Sequence, residues 1–204
     1  KAIFGFGYGG GLLSVTNLVS SSGVVASDTS GVGTARSSLA ATTYGNDKAI
    51  FAYGNDGSVT AVSNLVNNSG VVASDVTGVG TARSGVSAAK YGAGLAIFAY
   101  GLAGSVTAVS NLVNSSGVIA SDVSGVGTAR QNPGAAGYGN DKAIFAYGNT
   151  GSKVSISNLV TNAGVMGSDV TGVGTARSPG AASYGGDKAI MAFGYAASSN
   201  VNMS

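Results

Sequence analysis

The sequence predicts an all-β fold assembled from tandem copies of one 47-residue unit, and three observations carry that reading. Asp28, Asp75, Asp122 and Asp169 recur 47 residues apart, as do Arg36, Arg83, Arg130 and Arg177, and Asn17, Asn64, Asn111 and Asn158. Short runs rich in Val, Ile, Thr and aromatic residues are cut by clusters of Gly, Asn and Ser, the punctuation of strands and tight turns. No segment sustains a 3.6-residue apolar period, because Gly interrupts each window before it reaches helical length.

The second copy shows the elements in order. Residues 48–54 (KAIFAYG) form an apolar strand ending on Gly, and 54–58 (GNDGS) a loop of turn formers. Residues 58–66 (SVTAVSNLV) are rich in β-branched residues that suit a pleated surface. Residues 67–70 (NNSG) make a tight turn, 71–76 (VVASDV) a short strand, and 77–84 (TGVGTARS) a Gly-punctuated connection. The fourth strand, 86–92 (VSAAKYG), carries small residues that permit close packing.

Four short strands per unit at this period predict blades of a β-propeller, in which neighbouring blades bury one another's faces. The whole chain, 1–204, reads as one repeat domain, with units 1–47, 48–94, 95–141 and 142–187 and a partial unit 188–204. The apolar tetrad at 1–4 returns at 48, 95, 142 and 188, which counts five, whereas the Asp phase counts four. Four or five blades are therefore expected, five with one incomplete being preferred. Pairing of the ends would remove exposed sheet edges, which places residues 1–7 near 181–194.

Charge is scarce at 9% of residues, with a net charge of +2. There is no basic stripe for a phosphate backbone, so nucleic acid is not an expected partner. No run of 18 apolar residues marks a membrane span. Low charge gives weak self-repulsion and favours association, which points to self-association or a larger assembly.

Where charge is kept, it follows the repeat. The Asp and Arg sets account for eight of the 18 charges, and Lys1 with the Asp-Lys pairs 47–48, 141–142 and 187–188 for another seven. Charge held at one phase of a repeat indicates a structural role for Asp28, Asp75, Asp122, Asp169, Arg36, Arg83, Arg130 and Arg177. Each guanidinium is expected to insert between blades and bind an Asp and backbone carbonyls, for which its planar fork of donors is suited.

Tyr44, Tyr91, Tyr138 and Tyr184 keep one register. They are candidates for stacking on a sugar, with packed ring and tethered hydroxyl as the competing reading. The Asn set reads as turn-capping at strand ends. The Gly-Asn-Asp loops at 45–47 and 139–141 offer one carboxylate each, short of the oxygen set Ca²⁺ takes, and no metal or cofactor is expected. The chain has no His, Cys or Glu. That removes His-based triads, thiol chemistry, most zinc sites and the common glycosidase pair, so no enzymatic activity is expected.

The unit resembles a degenerate kelch repeat. The matching features are the Arg at 36, 83, 130 and 177, the small-residue strand after it, as in LAATTYG, and then KAIFAYG. The Gly pair of that family is reduced here to Gly54, Gly101, Gly148 and Gly194, and the Trp of its fourth strand is Val. The wording SNLV, GVVASD, GVGTAR and YGNDKAIF also looks like repeat arrays in predicted phage virion proteins. Together these imply a non-enzymatic structural or recognition propeller on a virion or cell surface, with glycans or cell-surface groups as multivalent ligands. The alternatives are an architectural fibre or filament subunit without a soluble ligand, and a kelch-like protein–protein adaptor.

Overall fold

A computed structural model describes residues 1–196, and the described part is all-β, with thirteen strands in five antiparallel sheets. Sheet I contains β1 (Ala2–Tyr8) and β2 (Leu12–Val19). Sheet II contains β3 (Ala40–Tyr44), β4 (Lys48–Ala52) and β5 (Ser63–Val66), and sheet III β6 (Ser87–Tyr91), β7 (Leu95–Ala103) and β8 (Ser105–Val113). Sheet IV contains β9 (Gly134–Tyr138), β10 (Lys142–Ala146) and β11 (Ser157–Val160), and sheet V β12 (Ser178–Tyr184) and β13 (Lys188–Tyr195). None of the described helices is long and apolar enough to cross a membrane, for the described residues include no helix.

Sheets II to V each begin one strand earlier than the sequence unit. The small-residue strand that closes a unit pairs with the apolar strand that opens the next, as Ala88 opposite Phe98 and Tyr91 opposite Leu95 show. The expected short strand at 71–76 is reduced to two isolated bridges beside β5, Val66 with Val72 and Ser63 with Val76, and sheets I, III and IV repeat this. Between those bridges the Asn64 side chain donates to the Ala73 carbonyl (3.1 Å), so a side chain replaces part of the ladder.

The middle strand of each three-stranded sheet reads as a continuous apolar run because both its faces are covered. Ile50 points into the cluster between sheets II and III with Tyr53, Phe98 and Val113. Its neighbour Phe51 points the opposite way, with Ile3 and Phe6, between sheets I and II. Ile97, Tyr100, Phe145 and Val160 fill the next interface. The core is thus a series of thin apolar layers between consecutive sheets.

Successive sheets touch mainly through β3, β6, β9 and β12. The turns after these strands are also joined, with Gly45 N–H donating to Gly94 O (2.9 Å), Gly92 to Asp141 O (2.7 Å) and Gly139 to Asp187 O (2.6 Å). The expected pairing of residues 1–7 with 181–194 is not formed. β1 is paired as a strand only with β2, and β12 and β13 only with each other, so no closed ring is present among the described residues. Each sheet is positioned by the one before it, and nothing in those local contacts brings the fifth back to the first. Both end faces accordingly expose apolar residues: Phe4 is 64% and Phe193 62% exposed, against 3% for Phe51.

Candidate functional site

The repeated polar residues come together at the connection leading into each sheet. In the third sheet, the Arg83 guanidinium is fully buried. It donates to Tyr100 O (2.9 Å), Thr81 O (2.9 Å) and Asn111 Oδ1 (2.7 Å). Asn111 Nδ2 donates onward to Asp122 Oδ1 (2.9 Å). Asp122 also accepts from the Thr81 N–H (3.1 Å) and hydroxyl (2.6 Å). The bonds close a circuit, Arg83 to Asn111 to Asp122 to Thr81 and back. Arg130, Asn158, Asp169 and Thr128 repeat it. Around Arg36 the links through Thr34, Asp75 and Asn64 are also formed. There Arg36 Nη2 and Asn64 Oδ1 are both buried without a hydrogen-bond partner.

The sequence expectation is refined on one point. Arg and Asp do not form an ion pair; Asn stands between them. The ion pairs among the described residues are instead the adjacent Asp47–Lys48, Asp141–Lys142 and Asp187–Lys188, at 2.8–3.3 Å and half exposed. Exposed pairs of this type contribute little to stability. Nor are the Asn residues simple turn caps, since Asn111 and Asn158 each connect a buried cation to a surface carboxylate.

Each guanidinium also lies on an aromatic ring of the preceding sheet. Arg36 covers Phe6 (4.2 Å), Arg83 Tyr53 (4.1 Å), Arg130 Tyr100 (3.9 Å) and Arg177 Tyr147 (4.4 Å). This set was visible in the sequence as an aromatic residue followed by Gly at the repeat period, yet its purpose depends on backbone geometry. Phe6, Tyr53, Tyr100, Tyr147 and Phe193 all have φ of 54–64°, unusual for bulky residues. That conformation turns each ring beneath the next guanidinium. The main chain adds a tie, as Gly54 N–H donates to Arg83 O (3.0 Å) and Gly101 N–H to Arg130 O (2.9 Å). The connection is therefore pinned to the sheet it enters by the circuit, and to the sheet it leaves by ring and backbone.

Gly80 makes the circuit sterically possible. Its φ is +79°, and a Cβ there would lie 2.3 Å from Asp122 Oδ1 and 2.5 Å from Asn111 Nδ2. Gly33 and Gly127 occupy equivalent positions. Gly80→Ala is expected to lower stability by about 1–3 kcal/mol, the size of a strained backbone or a broken buried hydrogen bond. Urea unfolding checks this, with Gly151→Ala, whose Cβ meets open space, separating the conformational part from the steric part.

The carboxylates titrate accordingly. Partial burial opposes ionisation of Asp122, but hydrogen bonds from Thr81 and Asn111 and the Arg83 charge outweigh it and hold its pKa below the ordinary 3.8. Asp75 and Asp169 behave alike. A folded pKa below the unfolded one means that the stabilisation is complete above the unfolded value and is lost as pH falls through the folded value. Thermal melts are expected to hold steady above about pH 5 and to decline below about pH 4. At the other end of the scale, burial pushes the Tyr100 hydroxyl from 10.0 up to about 12. Its contribution is lost as pH rises from 10 through that value.

The tyrosines proposed as sugar-stacking candidates are not equivalent. Tyr44 and Tyr91 are 3% and 4% exposed, with their rings packed against Gly117 and Gly164 in the next sheet's turn. Tyr138 is half-buried, and Tyr184 is 53% exposed. Among the described residues no three acidic side chains gather as a metal site would require. A scan of protein-family models found no match to the chain, and a search of curated proteins found none either.

Proposed function

We propose that the chain is a non-enzymatic scaffold of kelch-like propeller type, with five sheets serving as blades or partial blades, displayed on a virion or cell surface. The observation that carries this reading is the Arg–Asn–Asp–Thr circuit. Its repeated charged side chains are engaged with other parts of the chain and hold one sheet to the next. What varies from copy to copy is the loop after the apolar strand that opens each sequence copy: Gly9–Gly11, Asp56–Ser58, the short turn at Gly104, and Thr150–Ser152. Such loops on a rigid frame suit recognition. Similar weak sites along one frame gain strength together, which favours a glycan or cell-surface ligand presented in many copies. A glycan array that includes phage-host and cell-wall polysaccharides tests this. Retention of specific polysaccharides by the oligomer is expected, and retention of none would count against recognition.

The exposed end faces favour a second reading, an architectural subunit of a fibre or filament. Phe4 at one end and Phe193 at the other occupy repeat positions that are buried between sheets elsewhere in the array. Light scattering across a concentration series distinguishes this reading. Growth of the particle with concentration is expected of a filament subunit, whereas a monomer at every concentration excludes it.

A further inference from the structure

We propose that the outer edge of β1 is a strand-acceptor site for an extended peptide of small residues ending in Tyr-Gly. The inference deepens the scaffold reading above by naming a ligand class and a place for it. β4, β7, β10 and β13 each carry on one edge a small-residue strand, namely β3 (AATTY), β6 (SAAKY), β9 (GAAGY) and β12 (SPGAASY). β1 has the same sequence type, Ala-Ile-Phe, and the same partner on its other side, but β2 is the only strand paired with it among the described residues.

A groove of about 640 Å³ runs along that edge, between sheets I and II. Ala2, Ile3 and Leu18 line it from one side, and Ala41, Thr43 and Gly70 from the other. Its shape follows from the repeat. In the interior, the ring of Tyr44 lies against Gly117 beside Leu65, and the ring of Tyr91 lies against Gly164. Gly70 and Leu18 are the equivalents of Gly117 and Leu65, and the three atoms nearest to a Cβ at Gly70 all belong to Leu18, with no tyrosine among them. The groove therefore contains the socket into which a tyrosine of this strand type fits.

Two further features agree. Ala41 on β3 faces this side and is exposed, whereas the equivalent Ala88 and Ala135 are half-buried. The residue after each interior tyrosine donates its N–H to the turn of the following sheet, as Gly92 does to Asp141 O. Asp47 holds the equivalent turn position in sheet II and lines the groove. An added strand would run antiparallel to β1, take main-chain bonds from its edge and seat its tyrosine on Gly70. This is recognition by β-strand addition, in which the backbone supplies affinity and alternate side chains supply specificity. The four strands of this type among the described residues are already paired, so the occupant is an extended segment other than these four and not a strand lent by an intact second copy.

The test uses a fluorescein-labelled peptide with the sequence of residues 38–47 (SLAATTYGND), titrated with the 204-residue protein and read by anisotropy. Saturable one-to-one binding is expected, weakened at least about tenfold when the peptide tyrosine is replaced by alanine, a step of about 1.4 kcal/mol. The Ala41→Trp protein, filled at an exposed position, is expected to lose binding while keeping its thermal melt. No binding by the folded wild-type protein overturns the proposal. So does equal binding of the Tyr→Ala peptide, or of the Ala41→Trp protein. Association of the protein with itself in place of peptide binding would assign the edge to a second copy and overturn it as well. Polysaccharide retention is measured separately, so failure here is distinct from failure of the scaffold reading.

Discussion

Arg83→Met is expected to lower the stability of the protein by about 3–5 kcal/mol, the range found when one partner of a buried charged network is removed. The side chain is fully buried and donates to Tyr100 O, Thr81 O and Asn111 Oδ1. Methionine fills much of the volume but leaves three acceptors without a donor, each at about 1–3 kcal/mol. It also removes the cation from the Tyr53 ring. Release of the arginine's own burial penalty, which already lowers its pKa, offsets part of the loss. Arg83→Lys is no remedy, because a point charge on a flexible stem cannot replace three directed bonds from one planar fork. Urea denaturation checks the effect through the midpoint. Arg177→Met is expected to cost less, since Arg177 has hydrogen bonds to Thr175 O and Met191 O but lies in a sheet covered on one face only.

Phe98→Ala is expected to cost about 3–5 kcal/mol, the range for truncating a buried aromatic residue. Phe98 is fully buried, with its ring 5.5 Å from that of Tyr53. Phe4 occupies the same repeat position at the end of the array and is 64% exposed. Phe4→Ala is expected to change stability by no more than about 0.5 kcal/mol, as for an ordinary surface substitution. One substitution at one sequence phase thus reports whether a second sheet covers it. Similar losses at both positions would show that Phe4 is covered in solution.

These contrasts also show what was legible in the sequence. The repeat and the strands were, because Gly-punctuated β-branched runs report local preference. The importance of the Arg and Asp sets was too, because so little charge is kept elsewhere. The missing closure of the array was not: a period tells that units are alike, while the path from sheet I to sheet V depends on small rotations that no local run encodes. The missing Arg–Asp ion pair has a similar cause. Asn111 and Asp122 are eleven residues apart, and only the bridging of β8 to residues 119–123 places the amide between cation and carboxylate. The tyrosines were visible as a set, yet Tyr44 is buried by a turn 73 residues later in the chain, at Gly117. The aromatic residues under the guanidiniums were in plain view, but their use required a positive φ before Gly that composition does not announce.

The central claim is that the connection between consecutive sheets is pinned to the sheet it enters by one continuous polar circuit and not by independent contacts. A double-mutant cycle between Arg83→Met and Asp122→Ala tests it most directly, because the two side chains share no hydrogen bond and are joined by hydrogen bonds through Asn111 and the Thr81 connection. Urea denaturation of the wild type, both single variants and the double variant is predicted to give a coupling of about 0.5–3 kcal/mol, as for members of one network. Losses that add to within about 0.3 kcal/mol would contradict the account.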